Sequence, residues 1–230
     1  MKCRVALQVA AGFLLAAGVD AAPPPGFMLA AETRHFTFFS RRPEKVDAAR
    51  SERFLLATSE RLGQPAPEQV AYYLHEHPQQ VAQATGVYAD GVTVPATGEI
   101  HSVRSFHPHE LVHRVAGEMG DPGRFFHEGL AVALGNEGRW RGAKVDDLAR
   151  RLVRRCTWRA LLERFESLDP EVGYPLAGSF VAFLIERHGV DRVSAFFRGC
   201  RPETAGRRFE DVFGLSLDQA GAAWVRRLSR

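Results

Sequence analysis

Residues 109–113 have the sequence HELVH, an H-E-x-x-H pattern that can bind a metal ion. On a helix, positions i and i+4 lie one above the other, so His109 and His113 could direct two imidazole nitrogens at one metal. Glu110 would lie beside the first ligand and could act on a water molecule at the metal without binding the metal itself. His107 lies two positions before His109 and therefore well around the helix, so we predict a helix cap or a surface residue there rather than a ligand.

A third metal ligand is predicted in the following helix. The turn at 121–123 (DPG) precedes the segment RFFHEGLAVALG, in which Glu128 comes fifteen residues after His113. That distance allows the first helix to end and the second to pack back against it, so the carboxylate would face the two imidazoles. Two histidines and one glutamate form the ligand set of a catalytic zinc site with one position open for water. His127 is the alternative third ligand, and a surface ion pair is the alternative role for Glu128.

The motif requires a helix, and the surrounding residues predict one near 106–118. Pro108 suits the first turn, Gly120 suits the end, and the apolar residues between them form one stripe. Before this helix, runs rich in branched and aromatic residues predict strands that are separated by helices. The predicted strands are 35–40, 69–75 and 99–103, the last closing a hairpin over 87–103, and the predicted helices are 43–62 and 78–84.

After position 105 the chain is predicted to be mainly helical. Apolar spacing predicts further helices near 123–134, 144–155, 157–166, 175–188, 190–198 and 216–228. The sequence therefore predicts an α+β fold, with a small N-terminal mixed sheet followed by a mainly helical half that carries the H-E-x-x-H helix. We predict a single domain over 22–230, with a strand-rich part at 22–104 and a helical part at 105–230.

The N-terminal segment is typical of a secretory signal peptide. Lys2 and Arg4 precede an apolar run at 5–19, and small residues follow up to Ala21, after which we predict cleavage. A transmembrane anchor is the alternative, but the run is shorter than the roughly 20 residues that a membrane span requires. We therefore predict export to the periplasm or the exterior, with no membrane span in the mature chain.

Charge and cysteine content limit the other functions. The formal net charge is +3, and nearly all cations along the whole chain are arginine. The densest basic stretch, 139–159, also carries an apolar helical stripe, so we interpret it as the solvated face of a helix and predict no nucleic-acid partner. Cys156 and Cys200 remain in the mature chain, either as one disulfide or as two buried thiols. The oligomeric state is left open.

The segments HELVH and HEGLA together resemble the gluzincin zinc metallopeptidases, the thermolysin-like, peptidase MA-like clan. The similarity is strongest to small exported bacterial members with an EGLA ligand helix. The strand–helix–strand start, the strand before the motif helix and the segment 174–189 are also similar, so the resemblance covers most of 35–200. Two features depart from the pattern: the connection before the ligand glutamate is shorter than usual, and His127 occupies a position that is often apolar.

The resemblance and the chemistry of these residues imply the same activity. One Zn²⁺ would be bound by His109, His113 and Glu128, and the substrate would be a peptide or protein. Glu110 would act as the general base toward water and then pass the proton to the leaving amine. Two alternatives stay open: a non-catalytic zinc-binding scaffold on the same fold, and an unrelated basic interaction domain in which the motif is accidental.

Peptide hydrolysis also requires a hydrogen-bond donor to the developing oxyanion. The resemblance implies Tyr174 for this role, and His101 on the preceding strand is the alternative from its position in the chain. The predicted strand at 99–103 could also pair with an extended substrate through its main-chain groups.

Overall fold

The first part of the chain folds into a five-stranded mixed sheet. The computed structural model describes residues 23–230, so the predicted signal peptide at 1–21 lies outside the described residues. The strands are β1 (Met28–Glu32), β2 (Phe36–Ser40), β3 (Val70–Leu74), β4 (Gly91–Thr93) and β5 (Ile100–Ser102). Their order in the sheet is β1-β2-β3-β5-β4, in which β2, β3 and β5 are parallel and the two outer strands are antiparallel to their neighbours.

Two helices connect the parallel strands. Helix α1 (Ala48–Leu62) joins β2 to β3, and α2 (Pro78–Thr85) joins β3 to β5. Helix α1 ends at Gly63 in the left-handed conformation, as the sequence predicts. It begins later than predicted because the Asp47 side chain accepts a hydrogen bond from the main chain of Arg50 and so caps the helix there.

Buried and partly buried side chains alternate along the strands, and this alternation shows which face of the sheet packs on the core. In β3, Val70, Tyr72 and Leu74 are buried, whereas Ala71 and Tyr73 between them are only partly buried. Of this set, Val70 and Tyr72 belong to the same hydrophobic cluster as the apolar residues of α1 and of the motif helix. This face therefore fixes where the motif helix sits against the sheet.

The second part of the chain is helical. Its helices are α3 (Pro108–Ala116), α4 (Arg124–Leu130), α5 (Val145–Leu152), α6 (Trp158–Arg164), α7 (Pro170–His188), α8 (Val190–Phe197), α9 (Ala205–Phe213) and α10 (Leu217–Leu228). The predicted α+β fold is confirmed, with the sheet first and the helical part second. Among residues 23–230, no helix combines the length and the apolar character that crossing a membrane requires.

Helix α7 forms the centre of the helical part and is buried along most of its length. Phe180 of α7 contacts aromatic rings from several other helices, including Phe125 of α4 and Trp224 of α10. The Trp224 indole is fully buried and donates a hydrogen bond to Ser179 Oγ at 3.0 Å. Because α7 packs directly on α4, this aromatic core fixes the helix that carries Glu128.

Several elements differ from the sequence prediction. The strand β1, the helix α9 and a short hairpin of β6 (Arg139–Trp140) and β7 (Ala143–Lys144) were not predicted. Helix α7 begins at Pro170, one turn before the predicted start, so that Pro175 lies inside the helix. Helix α4 continues into a π-helical turn at Ala131–Gly135. In the part of the chain that the structure describes, Cys156 and Cys200 are free thiols.

Candidate metal centre

The side chains of His109, His113 and Glu128 converge between α3 and α4. The two Nε2 atoms of the histidines are 3.1 Å apart, and Glu128 Oε2 lies 3.2 Å from His109 Nε2 and 3.4 Å from His113 Nε2. Within residues 23–230, this is the one cluster of three or more His, Cys, Asp or Glu side chains whose donor atoms are close enough to share an ion. The structure thus brings together the three residues that the sequence predicts as metal ligands.

The geometry of these three donor atoms fits a zinc ion. Zinc ligands at 2.0–2.1 Å in a tetrahedral arrangement lie roughly 3.3 Å from one another. The observed separations of 3.1, 3.2 and 3.4 Å are close to that value. Two imidazole nitrogens and one carboxylate oxygen also match the donor chemistry that zinc prefers, and they leave one coordination position for a water molecule or a substrate. The residues present therefore fit Zn²⁺.

Local packing places the two ligand helices. Helix α3 starts at Pro108, and its residues Leu111, Val112 and Val115 are buried against the core. Helix α4 lies close to α7 because Gly129, next to Glu128, approaches the Ala177 carbonyl oxygen so closely that a Cβ atom would lie 2.7 Å from it. The small residue beside the ligand thus allows contact with α7.

Electrostatics favours the charged form of Glu128. Burial raises the pKa of this carboxyl group, but hydrogen bonds from His109 and His113 outweigh burial and hold the pKa far below its usual range. Burial lowers the pKa of His113, but the hydrogen bond and the charge of Glu128 outweigh that effect and raise it. Glu128 is therefore ionised and paired with the two imidazoles, and a metal ion that bound here would displace the imidazole proton that this pairing favours.

Glu110 is buried beside the cluster and is oriented by β4. Thr93 Oγ1 lies 2.9 Å from both Glu110 Oε2 and the main-chain carbonyl oxygen of Glu110, and its single proton is shared between these two acceptors. Burial raises the pKa of Glu110, but the neighbouring His113, His109 and His107 and the Thr93 hydrogen bond lower it, and the net pKa lies below its ordinary value. Glu110 is therefore an anion at neutral pH and could accept a proton.

Tyr174 also reaches the cluster, through Glu128. Its hydroxyl donates to Glu128 Oε1 at 2.9 Å and accepts from the guanidinium of Arg124 at 3.1 Å. The ring lies parallel to that of His109, with 6.3 Å between centroids. Burial and the charge of Glu128 raise the pKa of Tyr174, so the hydroxyl keeps its proton. The role of oxyanion donor stays a prediction, and in this structure the hydroxyl proton is directed at Glu128.

The two neighbouring histidines take other positions. His127 Nε2 lies 3.4 Å from Asp121 Oδ1, and its ring packs against Phe197 rather than joining the three donor atoms. His107 occupies the N-cap position of α3, but its side chain does not cap the helix and is buried, not exposed. It is hydrogen-bonded to Ser102 Oγ at 3.0 Å, and burial lowers its pKa to about 4. The expectation of a surface position for His107 is therefore wrong.

His101 lies on the opposite face of the sheet from α3. Its neighbours in β5, Ile100 and Ser102, face the helices, so alternation directs His101 away from them. There it stacks on Tyr73 with 4.7 Å between ring centroids and is hydrogen-bonded to His75. The alternative assignment of His101 as the oxyanion donor is therefore wrong.

The strand that could pair with a substrate is β4, not β5. Strand β5 is hydrogen-bonded to β3 on one side and to β4 on the other, so both of its edges are occupied. Strand β4 is the outermost strand on that side of the described sheet. It also contacts α3 directly, both through Thr93 and through Gly91, which packs on His107 and Glu110. The prediction of a free edge at 99–103 is therefore wrong, and the outer edge on this side belongs to Gly91–Thr93.

Two residues of the site were missed in the sequence. Arg124 lies one helical turn before Glu128, a spacing that could have indicated an ion pair with it. Thr93 carries no such signal, because its contact with Glu110 depends on the antiparallel pairing of β4.

Comparison with known proteins relates the fold to zinc peptidases. No family model matches the sequence, and a search of curated proteins also finds no match. Among solved structures, the chain is similar to a mutant two-domain M1 zinc metallopeptidase bound to L-tryptophan, with a TM-score of 0.50, 14% identity, and coverage of 87% of this chain and 50% of that chain. A mutant M1 zinc metallopeptidase from Deinococcus radiodurans bound to a Tyr-Ser-Ala substrate gives a TM-score of 0.50, 13% identity, and coverage of 83% and 48%.

A third structure, a mutant two-domain M1 zinc metallopeptidase bound to L-arginine, gives a TM-score of 0.51, 14% identity, and coverage of 86% and 49%. At this level of identity the likeness is one of fold. The chain spans about half the length of the solved structures that it matches.

Proposed function

We propose that this protein is an exported, zinc-dependent metallopeptidase of the gluzincin type. The observation that carries the proposal is the convergence of His109, His113 and Glu128, whose donor atoms are spaced as zinc ligands would be. The position of Glu110 beside this cluster and the likeness of the fold to M1 zinc metallopeptidases support it. Export is proposed from the signal-peptide pattern at 1–21 alone.

The roles of the residues follow from their positions. Zinc held by the three ligands would supply a Lewis acid that polarises a peptide carbonyl and makes a water molecule more acidic. Glu110 accepts the proton of the attacking water and then gives it to the leaving amine. The Thr93 hydroxyl holds Glu110 Oε2 at 2.9 Å and so helps to orient the carboxylate. The low pKa of Glu110 keeps the base unprotonated at neutral pH.

The substrate is proposed to be an extended peptide that pairs with β4. The outer edge of Gly91–Thr93 offers main-chain N–H and C=O groups next to Glu110. Pairing of this kind recognises the peptide backbone rather than particular side chains. It would place a peptide bond beside both the general base and the metal.

The test combines zinc content with peptide cleavage. We expect about one zinc per purified wild-type chain, loss of zinc in His113→Ala and Glu128→Ala, and retention in His127→Ala. Loss of zinc in His127→Ala with retention in Glu128→Ala would assign the third ligand to His127 instead. A wild-type protein without zinc would contradict the metal site itself.

Catalysis is tested with Glu110→Gln and a library of fluorogenic peptides. Because the amide cannot accept the proton, we expect cleavage to fall by roughly 10²- to 10⁴-fold while zinc content is unchanged. Glu60→Gln, a substitution of an exposed glutamate on α1, is the matched control and should cleave like the wild type. Wild-type protein that holds zinc and cleaves no peptide would favour the non-catalytic scaffold.

A further inference from the structure

The two carboxylate oxygens of Glu128 have different surroundings. Oε2 faces the imidazole nitrogens of His109 and His113 at 3.2 and 3.4 Å. Oε1 faces away from them and accepts a hydrogen bond from the Tyr174 hydroxyl at 2.9 Å, with Arg124 Nε at 3.5 Å. The side chain of Glu128 is only 11% exposed. Each oxygen therefore has its own set of protein partners.

Arg124 connects this carboxylate to two other groups. Its Nε faces Glu128, one terminal nitrogen donates to Glu166 Oε2 at 2.9 Å, and the other donates to the Tyr174 hydroxyl at 3.1 Å. The Tyr174 hydroxyl accepts a hydrogen bond from Arg124 and donates one to Glu128. Both bonds therefore have their donor on the side of the cation and their acceptor on the side of the carboxylate. Charge-assisted bonds of this type are stronger than neutral ones and fix geometry.

The tyrosine ring is held by its neighbours. Trp140 from the β6–β7 hairpin packs edge-on against Tyr174 with 5.1 Å between centroids, and Phe165 lies parallel to it at 6.2 Å. Trp140 is itself hydrogen-bonded to Glu171, in the first turn of α7. The hydroxyl of Tyr174 is therefore directed at Glu128 by packing as well as by hydrogen bonding.

We propose that Arg124 and Tyr174 are positioning residues for the zinc ligand Glu128. They hold Oε1, so that Oε2 is the one oxygen presented to the metal, and Glu166 anchors Arg124 in turn. The inference rests on the proposed zinc site and deepens it. It also gives Tyr174 a role different from that of oxyanion donor, because its single proton is engaged by the ligand.

The test measures zinc affinity separately from activity. Each purified protein competes with a chromophoric chelator for Zn²⁺, and the variants are Tyr174→Phe, Arg124→Gln and Arg124→Lys. Outer partners of metal ligands typically contribute 10- to 100-fold to affinity, so we expect zinc binding to weaken by about that factor in Tyr174→Phe and Arg124→Gln. Arg124→Lys should recover part of the loss, because it restores the charge but not the planar fork.

Matched controls separate this effect from general damage. Tyr88→Phe changes a tyrosine that is 69% exposed, and Arg150→Gln changes an exposed arginine that is paired with Asp147. Both should bind zinc as the wild type does. Circular dichroism and thermal unfolding of the metal-free proteins show whether each variant is folded. If Tyr174→Phe is unfolded, the zinc affinities of the two Arg124 variants test the positioning role.

The outcomes distinguish the two proposals. If folded Tyr174→Phe and Arg124→Gln bind zinc as tightly as the wild type, the positioning role is overturned, and a lower kcat for Tyr174→Phe would then assign the oxyanion role. If the wild type binds zinc but cleaves no peptide, the proposed function fails while the zinc affinities still decide the positioning role.

Discussion

Glu110 receives a side-chain hydrogen bond from Thr93, which adds to the larger effect of the neighbouring histidines on its pKa. The Thr93 hydroxyl donates to Glu110 Oε2 at 2.9 Å, and this bond lowers the pKa of a carboxyl group whose burial raises it. Replacing Thr93 by valine keeps the size of the side chain and removes the donor. The variant thus tests how far the proposed role of Glu110 as general base depends on β4.

For Thr93→Val we expect a fall of about tenfold in kcat/KM, because a hydrogen bond to a charged group contributes about 1.5 kcal/mol. The pKa of Glu110 should rise when the donor is lost, so the acidic limb of the pH–rate profile should move to higher pH. Zinc affinity should be unchanged, since Thr93 does not contact a metal ligand. Steady-state kinetics from pH 5 to 8 and chelator competition measure the two effects.

Thr97→Val is the matched control, because Thr97 is exposed and bonds to Glu99 away from the metal cluster. Its profile should overlie that of the wild type. If Thr93→Val also leaves both kcat/KM and the acidic limb in place, Glu110 is oriented by other groups.

At the scale of single residues, the sequence could predict contacts within and between adjacent helices. His109 and His113 are one turn apart, and Glu128 follows in the next helix, so local geometry alone brings them near one another. His107 and His101 could not be placed in this way. His107 is buried and hydrogen-bonded to Ser102 on β5, a contact between segments that no helical spacing predicts. The position of His101 depends on which face of the sheet meets α3, and here it lies on the other face, against Tyr73.

At the scale of elements, β4 lies unusually close to α3. A Cβ atom on Gly91 would collide with the His107 ring and would lie 2.9 Å from Glu110 Cγ. The His107 ring is buried and hydrogen-bonded to Ser102, so it has little freedom to move aside. The absence of a side chain at position 91 is therefore what allows the strand to approach Glu110 so closely.

For Gly91→Ala we expect β4 to shift away from α3, with a loss of about 1–3 kcal/mol in the free energy of unfolding. Because Thr93 moves with the strand, kcat/KM should fall at least as much as in Thr93→Val. Thermal unfolding and peptide cleavage are the measurements. Gly206→Ala is the control, since an added Cβ at this helical glycine meets no atom within 4 Å. Equal unfolding temperatures for the two variants would contradict the close approach of β4.

The elements themselves were predictable where periodicity was strong. Helix α10 has its apolar stripe and a capping box at Ser216, and β3 alternates cleanly. The early start of α7 was hidden because Pro175 suggested a first turn, whereas Asp169 caps the helix one turn before it. The β6–β7 hairpin escaped prediction because its turn places Arg141 in the left-handed conformation, where glycine or asparagine is the usual signal.

At the scale of the whole molecule, the cluster of His109, His113 and Glu128 lies where separate parts of the fold meet. Helix α3 follows the sheet directly, α4 packs on the central helix α7, and the Tyr174 hydroxyl links α7 to Glu128, the proposed third ligand. The sequence could predict the α+β class, since strand and helix patterns occupy different parts of the chain. It could not predict that α7 would be the common support, because that depends on aromatic packing between distant segments.

Because the three ligands come from two helices that the unfolded chain does not hold together, zinc should stabilise the folded protein. At a free zinc concentration near 100 times the dissociation constant, binding adds about 2.7 kcal/mol to the free energy of unfolding. For a chain of this size each kcal/mol raises the unfolding temperature by about 2–4 °C, so removal of zinc by a chelator should lower Tm by roughly 5–10 °C. Glu128→Gln should show little response to zinc, and Mg²⁺, which prefers six oxygen ligands, should not replace it in the wild type. If the wild-type Tm is the same with zinc and with chelator, zinc does not bind His109 and His113 of α3 together with Glu128 of α4.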